Sequence, residues 1–266
     1  MHVIPLSPLD LTLAALLVVA LAGLVWAQRL ELARPLLIAA VRTAVQLGLI
    51  GLVLEVLFSS MNPTLIALVA MFMLAVAGYE VMSRQQRRLV GFWGYGVGTV
   101  AMFVSSFGVA VLTLLVMVQP EPWYAPQYAI PLLGMLLGNT MTGIALGLDR
   151  LTQGLWRERP QIETRLALGE SWLEASAAVR HEALRSALTP IINSMAAAGV
   201  VSLPGMMTGQ ILGGSPPMEA VKYQILMMFL ISAGTGFGAL GAVQFSARRL
   251  FDERQRLRLE RLRAKV

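Results

Sequence analysis

The sequence predicts an all-α protein that crosses a membrane about seven times. Of its 266 residues, 56% are hydrophobic and only 14% are charged, and the mean hydropathy is +0.68. Soluble domains carry about 25% charged residues, so the surplus apolar surface of this chain must face lipid. Cysteine is absent, which excludes disulfides as well as thiolate nucleophiles and metal ligands.

Apolar runs long enough to cross the hydrocarbon core recur along the whole chain. The first run has no lysine or arginine before it and exceeds the core of a signal peptide, which favours a retained helix. One transmembrane domain over residues 1–266 is therefore expected. The predicted spans are 9–27, 35–57, 63–82, 94–118, 129–148, 190–212 and 218–247.

Basic residues fall in every second connecting segment, and Lys222 is the one basic residue of the opposite segments. Because basic loops stay in the cytosol, this alternation predicts an outer N-terminus and a cytoplasmic C-terminus in the inner (plasma) membrane. It also explains the formal charge of +6 without nucleic-acid binding. The arginines on the predicted inner side are Arg29, Arg34, Arg84, Arg87, Arg88, Arg150, Arg157, Arg159, Arg165, Arg180 and Arg185, followed by those of the tail.

Two segments at the predicted inner side have compositions of their own. Residues 149–189 interleave leucines and alanines with charged side chains of both signs, which predicts a helical hairpin with one apolar face. This cytoplasmic region is either a solvated amphipathic hairpin or a docking element for a partner, and the two are compatible. Residues 250–266 form a basic cytoplasmic tail.

Polar side chains cluster in two predicted spans. The fifth span places polar groups and a methionine near the middle of the membrane, and Pro204-Gly205 interrupts the sixth. Broken helices at membrane depth are tolerated where freed carbonyl groups line a cavity or meet another helix. Ordinary helix packing is the alternative interpretation. The candidate pathway residues are Asn139, Thr140, Met141, Thr142, Ser202, Met206, Met207, Thr208 and Gln210.

Ionisable groups inside predicted spans are a second signal. Arg42 and Gln46 lie one turn apart in the second span, and Glu80 lies near the inner end of the third. A charge at the bilayer centre costs about 3 kcal/mol, so such groups normally face a pathway or a partner. A structural ion pair between Arg42 and Glu80 is the alternative.

The sequence offers neither an energy source nor a catalytic centre. No Gly-x-x-x-x-Gly-Lys-Ser/Thr phosphate loop, His-Glu-x-x-His pair or Gly-x-Ser-x-Gly turn occurs. An enzyme acting by itself is therefore not expected. The fifteen methionines could supply soft thioether ligands or fill gaps in apolar packing. No metal site is assigned.

Three blocks of sequence resemble the FetB-type family of iron-export ABC permeases, to which plant aluminium-tolerance permeases are similar. They read PLLGMLLGNTMTGIALGLDRL from residue 131, LALGESWLEA from residue 166 and NSMAAAGVVSLPGMMTGQILGGSPPMEAVKYQI from residue 193. The likeness extends over nearly the whole chain through the number and spacing of the helices.

The resemblance implies a permease that pairs with a separate ATPase subunit, as two copies of each. That subunit would use ATP and magnesium, whereas this chain would bind no cofactor. The region near residues 158–189 would become a coupling element with Glu170, Trp172 and Glu174 as docking contacts, and the cargo would be iron or another metal ion moved outward. An ion-coupled secondary transporter and a membrane scaffold or regulator without a solute path are the alternatives.

Overall fold

The computed structural model describes residues 7–264, so the last two residues of the basic tail lie outside it. Within this range the fold is all-α apart from two short strands, which confirms the predicted class. Its helices are α1 (Pro8–Ala27), α2 (Ala33–Ser60), α3 (Pro63–Arg84), α4 (Phe92–Met102), α5 (Gly108–Leu112), α6 (Pro126–Arg157), α7 (Arg159–Ala167), α8 (Trp172–Ala175), α9 (Ala177–Ala197), α10 (Gly205–Leu212) and α11 (Pro217–Arg249).

Six continuous helices of the described chain are long and apolar enough to cross a membrane. They correspond to the predicted spans except the sixth, and two π-helical segments, Phe103–Phe107 and Thr113–Val118, join α4 and α5 into one of them. The fifth predicted span continues to Arg157, so it extends into the predicted cytoplasmic region. The orientation of the bundle stays a prediction.

The predicted sixth span is divided between two helices. Its first part belongs to α9, which ends at Ala197, and its second part is α10, which begins at Gly205. The break expected at Pro204 is present, but it begins six residues earlier, at the extended residue Ala198. Gly199 then adopts φ +82°, a conformation that glycine reaches without steric cost.

The core lies where α6 and α11 pack together and against α9, α3 and α4. Small residues permit the close approach of α6 to its neighbours. A side chain at Gly143 would meet the methyl group of Thr235 at 2.5 Å, and one at Gly238 would meet Thr140 at 2.8 Å. The four-residue glycine spacing of the sequence therefore serves helix packing here.

The N-terminal hairpin of α1 and α2 packs on itself and covers little of the core. None of the most apolar part of α2 is buried by the rest of the chain, whereas half of the corresponding part of α6 is buried. Leu57 of α2 joins Ile66 and Ile130 in a small separate cluster. The hairpin thus presents most of its surface to lipid or to another polypeptide.

The basic tail folds back on the bundle. Strand β2 (Leu262–Ala264) pairs antiparallel with β1 (Arg87–Leu89), which lies in the connection between α3 and α4. Phe251, Leu259 and Leu262 of the tail are buried and join the main core. The tail is therefore part of the folded domain and not a separate extension.

Candidate transport pathway

The bundle contains a cavity of about 730 Å³, called the chamber below, which lies between α6, α10, α11 and the π-helical segment Thr113–Val118. Its lining residues are Thr113, Leu114, Val118, Gln127, Tyr128, Pro131, Leu132, Gly134, Met135, Met206, Gln210, Tyr223, Leu226 and Met227. All of these residues are apolar or neutral polar, and none is charged. π-Helical turns inside α-helices frequently occur at functional sites.

Two of the predicted pathway residues, Met206 and Gln210, line the chamber. They lie one turn apart on α10, so the break before Gly205 gives that short helix the angle at which both reach the cavity. The Oε1 atom of Gln210 is buried and has no hydrogen-bond partner among residues 7–264. An unpaired amide oxygen beside thioether sulfurs is a suitable neutral acceptor for a cation or a hydrogen-bond donor.

Sequence reasoning missed most of the chamber lining. Met135 and Met227 bring two more thioethers to the same cavity, and Gln127, Tyr128 and Tyr223 bring polar groups. Gln127, Pro131 and Met135 recur at four-residue spacing on α6, and that period is the signal that could have found them. The contribution of α11 depends on tertiary packing and left no such signal.

The same face of α6 continues from the chamber to a second, small cavity of about 60 Å³. Asn139 and Thr142 line it together with Pro190 and Ser194 of α9 and Thr235 of α11. The Asn139 Nδ2 atom donates to the carbonyl oxygen of Met135 at 2.8 Å, so the two cavities share a connecting residue pair. One face of α6 thus borders both cavities.

Other predicted pathway residues point elsewhere. Thr140 is fully buried against α11, and Met141 packs on the apolar core. Met207 is buried but is absent from the chamber lining. Thr208 donates to the carbonyl of Pro204 at 3.1 Å, and Ser202 lies exposed in the break.

The ionisable groups lie apart from both cavities. Arg42 and Glu80 form an ion pair between α2 and α3, and Arg84 approaches the same carboxylate at 3.7 Å. Gln46 is exposed one turn further along α2. Among residues 7–264, no group of three or more His, Cys, Asp or Glu side chains is placed to hold a metal ion.

The predicted docking residues have partners within the chain. Glu170 pairs with Arg165 at 2.8 Å, and Glu174 caps α8 by accepting from Ser171. These hydrogen bonds from the Ser171 side chain and backbone hold the pKa of Glu174 below its ordinary value. Trp172 donates its backbone N–H to Gln255 of the tail at 2.7 Å.

Trp172 also packs with its ring against the tail and α9. Its centroid lies 5.7 Å from that of Phe251 and 5.6 Å from the guanidinium carbons of Arg180 and Arg248. Arg180 is itself buried and donates to Gln244 of α11 at 2.9 Å. Trp172 and Arg180 thus connect α8 to α11 and to the tail.

Exposed apolar residues also lie in this region, at its tip, which comprises the connection from α7 to α8 and the first residues of α8. Leu168, between α7 and α8, is 80% exposed, and Leu173 is 46% exposed. Both lie outside the membrane-spanning helices. Their alternation with partly buried leucines nearby could not be recognised from composition alone.

The spanning helices and the cavities between them define the class of the molecule, an all-α multi-pass membrane protein. The chain belongs to the family described as Uncharacterised protein family (UPF0014), whose model matches residues 8–251. This membership and the relatives confirm the resemblance drawn from the sequence.

Three relatives illustrate the family. "UPF0014 membrane protein slr1647" of Synechocystis is 40% identical over 91% of this chain and 92% of the relative. "Probable iron export permease protein FetB" of Escherichia coli K12 is 30% identical over 96% of each chain. "Protein ALUMINUM SENSITIVE 3" of Arabidopsis thaliana is 35% identical over 84% of this chain and 80% of the relative. No solved structure matches this chain.

Proposed function

We propose that this chain is the membrane-spanning permease subunit of an ABC transporter and exports iron or another metal ion from the cytosol. The observation that carries the proposal is the chamber, in which Met135, Met206, Met227 and the unpaired oxygen of Gln210 meet beside an interrupted helix. The relative named as a probable iron export permease is aligned over 96% of this chain, which supports the same class of cargo.

The proposed path follows the face of α6 that borders both cavities. A cation would pass between the thioether and amide groups of the chamber and the amide of Asn139 near the small cavity. Neutral ligands hold a metal ion weakly enough to release it, whereas a cage of carboxylates or imidazoles would retain it. Rocking of α10 and α11 against α6 would open the path to each side in turn.

Energy would come from a separate ATPase subunit. The exposed pair Leu168 and Leu173 would enter that subunit, and Trp172 and Arg180 would carry the displacement to the tail and α11. Glu170 and Glu174 would set the shape of the tip through their bonds to Arg165 and Ser171. The chain would then be a transport subunit without catalysis of its own.

A second copy of the chain would cover the N-terminal hairpin. Glu55 is exposed on α2 within a membrane-spanning segment and has no ion-pair partner among residues 7–264, whereas Arg42 is paired with Glu80. Polar and charged groups in such a segment are costly when they face lipid. Contact between two copies through α2 removes this cost, so we propose a homodimer in the inner membrane.

Purification in mild detergent tests the assignment as an ABC permease. We expect a nucleotide-binding ATPase to co-purify in a fixed ratio, with activity that vanadate inhibits. Transport that persists after deletion of that ATPase would favour an ion-coupled secondary transporter. A stable complex with no metal transport at all would favour a scaffold.

Substitution of neighbouring methionines tests the path. Met206→Leu removes a thioether from the chamber, whereas Met207→Leu changes the adjacent residue, which does not line it. We expect Met206→Leu to raise the metal concentration for half-maximal ATPase stimulation about tenfold, equivalent to ~1.4 kcal/mol. The matched Met207→Leu should stay near the unmodified value, and equal effects of the two changes would contradict the proposed path.

Substitution at the tip tests the coupling. Leu168→Asp places a charge on an 80% exposed side chain, so the fold should be unaffected while ATPase binding is lost. The matched control is Ala178→Asp, which places the same charge on the exposed side of α9. Leu146→Asp would not serve as a control, because Leu146 lies in a membrane-spanning helix. Retention of the ATPase by Leu168→Asp would contradict this docking assignment.

A further inference from the structure

An apolar groove runs along the outside of the bundle between the helix Phe92–Val118 and α11. It has a volume of about 450 Å³ and is formed largely by aromatic and small side chains. From Phe92 to Val104 it follows roughly 18 Å of helix, at 1.5 Å per residue, and Phe92 and Phe237 on its walls are 76% and 66% exposed. Because both helices are membrane spans, hydrocarbon chains have direct access to it.

A basic pocket of about 670 Å³ adjoins one end of this groove, and Phe245 lines both. Two of the pocket's arginines differ in their partners. Arg256 is neutralised by Asp252 at 2.8 Å, but Arg254 has no carboxylate at ion-pair distance among residues 7–264. Arg248, Arg249 and Arg261 resemble Arg254 in this respect. The complete lining is Phe245, Arg248, Arg249, Phe251, Asp252, Glu253, Arg254, Arg256 and Arg261.

The junction of groove and pocket is held in place by the fold. Trp93 stacks on Phe245 with 5.7 Å between ring centroids, and the guanidinium carbon of Arg249 lies 4.7 Å from the Trp93 ring. Arg261 donates to the carbonyl oxygen of Arg249 at 2.6 Å. The positive groups are thus positioned where two membrane spans end, at the boundary between hydrocarbon and water.

We propose that this composite site binds an anionic phospholipid. One acyl chain would lie in the apolar groove beside Phe237 and Phe245, and the phosphate would meet Arg249, Arg254 and Arg261. Arginine recognises phosphate through paired N–H donors, and basic pockets at the ends of membrane spans are typical sites for acidic headgroups. A soluble anion would leave the groove empty, and an acidic protein surface would not enter it.

The site depends only on the membrane-embedded fold and not on the transported cargo. Bound lipid would bridge α11 to the tail, and the tail contacts Trp172 of the proposed coupling region. We therefore expect acidic lipid to stabilise the packing of the tail on the bundle. This effect is measurable on the isolated full-length chain, without ATPase or metal.

Titration of lipid into the purified full-length chain, followed by native mass spectrometry and thermal unfolding, tests the proposal. We expect phosphatidylglycerol to bind and to raise the unfolding temperature, and phosphatidylcholine and inorganic phosphate to have little effect. Equal binding of phosphatidylglycerol and phosphatidylcholine would overturn the proposal. So would stabilisation by inorganic phosphate alone, which would indicate a site for a free anion.

Substitutions locate the site. Arg249→Gln and Arg254→Gln should each weaken phosphatidylglycerol binding about fivefold, the effect of one cation near an acidic headgroup. The matched control is Arg185→Gln, which removes an exposed arginine of α9 away from the pocket. Unchanged lipid binding in both pocket variants would overturn the assignment, and loss of a co-purifying ATPase with unchanged lipid binding would identify the pocket as a protein contact instead. The preference of the unmodified chain for phosphatidylglycerol tests the proposal even if a variant fails to fold.

Discussion

Asn139 and Thr140 are adjacent in the sequence but lie on different faces of α6. Asn139 borders the small cavity, whereas Thr140 is buried against α11 and its Oγ1 atom has no partner among the described residues. A helix turns about 100° per residue, so two neighbouring polar residues rarely serve one surface. The polar character of a motif therefore predicts a site without telling which of its members face it.

Gly143 offers a direct test of helix packing at this level. In Gly143→Ala the new methyl group would lie 2.5 Å from the Thr235 methyl and 3.2 Å from the carbonyl oxygen of Ala187. We expect a loss of about 1–3 kcal/mol of stability because an overpacked contact must be relieved by shifting α11 or α9. Thermal unfolding in detergent measures it. Gly138→Ala is the control, since nothing lies within 4 Å of its added methyl, and equal unfolding temperatures would contradict the packing role.

The ion pair between Arg42 and Glu80 gives a second prediction. Glu80→Gln leaves Arg42 charged inside a membrane-spanning helix, whereas the double variant with Arg42→Gln leaves two neutral amides. We expect the single variant to unfold at a lower temperature than the double variant, with a coupling of about 1–2 kcal/mol. A full cycle of both single variants and the double variant measures this coupling. Additive effects on stability would show that Arg42 and Glu80 do not stabilise each other.

At the level of elements, the interruption between α9 and α10 has the clearest consequence. If residues 190–212 formed one continuous helix, the register of α9 would fix the directions in which Met206 and Gln210 point. Because the chain is non-helical from Ala198 to Pro204, α10 begins with a register of its own and presents both side chains to the chamber. The break therefore allows Met206 and Gln210 to face the chamber independently of how α9 packs against the bundle.

The short helix α8 provides a pH-dependent prediction. The bonds from Ser171 hold the pKa of Glu174 below its ordinary value. The capping contribution is therefore complete above the ordinary value and is lost as the pH falls through the lower folded value. We expect Glu174→Gln to lower the unfolding temperature at pH 7 and to match the unmodified chain at an acidic pH below the lowered folded pKa of Glu174.

The control for that measurement is an exposed carboxyl group outside the capping box, which is the reciprocal pair of hydrogen bonds between Ser171 and Glu174. Glu253 is exposed in the tail, so Glu253→Gln should change the unfolding temperature little at pH 7. A deficit of Glu174→Gln that is equally large at both pH values would show that the capping box is not its cause.

At the level of the whole molecule, single introduced cysteines can test the predicted orientation directly, because the chain contains no cysteine of its own. Gln119→Cys places a single thiol in the connection before α6, and Arg254→Cys places one in the tail. We expect an impermeant maleimide to label Gln119→Cys in intact cells and Arg254→Cys only after permeabilisation, because basic segments stay in the cytosol. Labelling in the opposite order would reverse the topology.

Thr140→Cys serves as the negative control, because that position is fully buried. It should react only after denaturation, whichever side of the membrane faces the reagent. Labelling of this variant in the folded state would mean that the helix contacts differ from those described here.

The sequence by itself determined the class of the protein and the approximate positions of its membrane spans. Length and apolar composition suffice for this, since a helix that crosses lipid must satisfy its backbone internally and present an apolar surface over about twenty residues. The blocks around residues 131–151, 166–175 and 193–225 were sufficient to indicate the family, which residues 8–251 then confirmed.

Only the tertiary structure decided which polar residues share a cavity. Met206 and Gln210 reach the chamber, while Thr140 and Met141 pack in the core and Glu80 pairs with Arg42. It also decided that the basic tail folds against β1 and that Trp172 is held by the chain itself. Hydropathy is a property of local composition, whereas the direction of a side chain depends on helix register and on neighbours that are distant in the sequence.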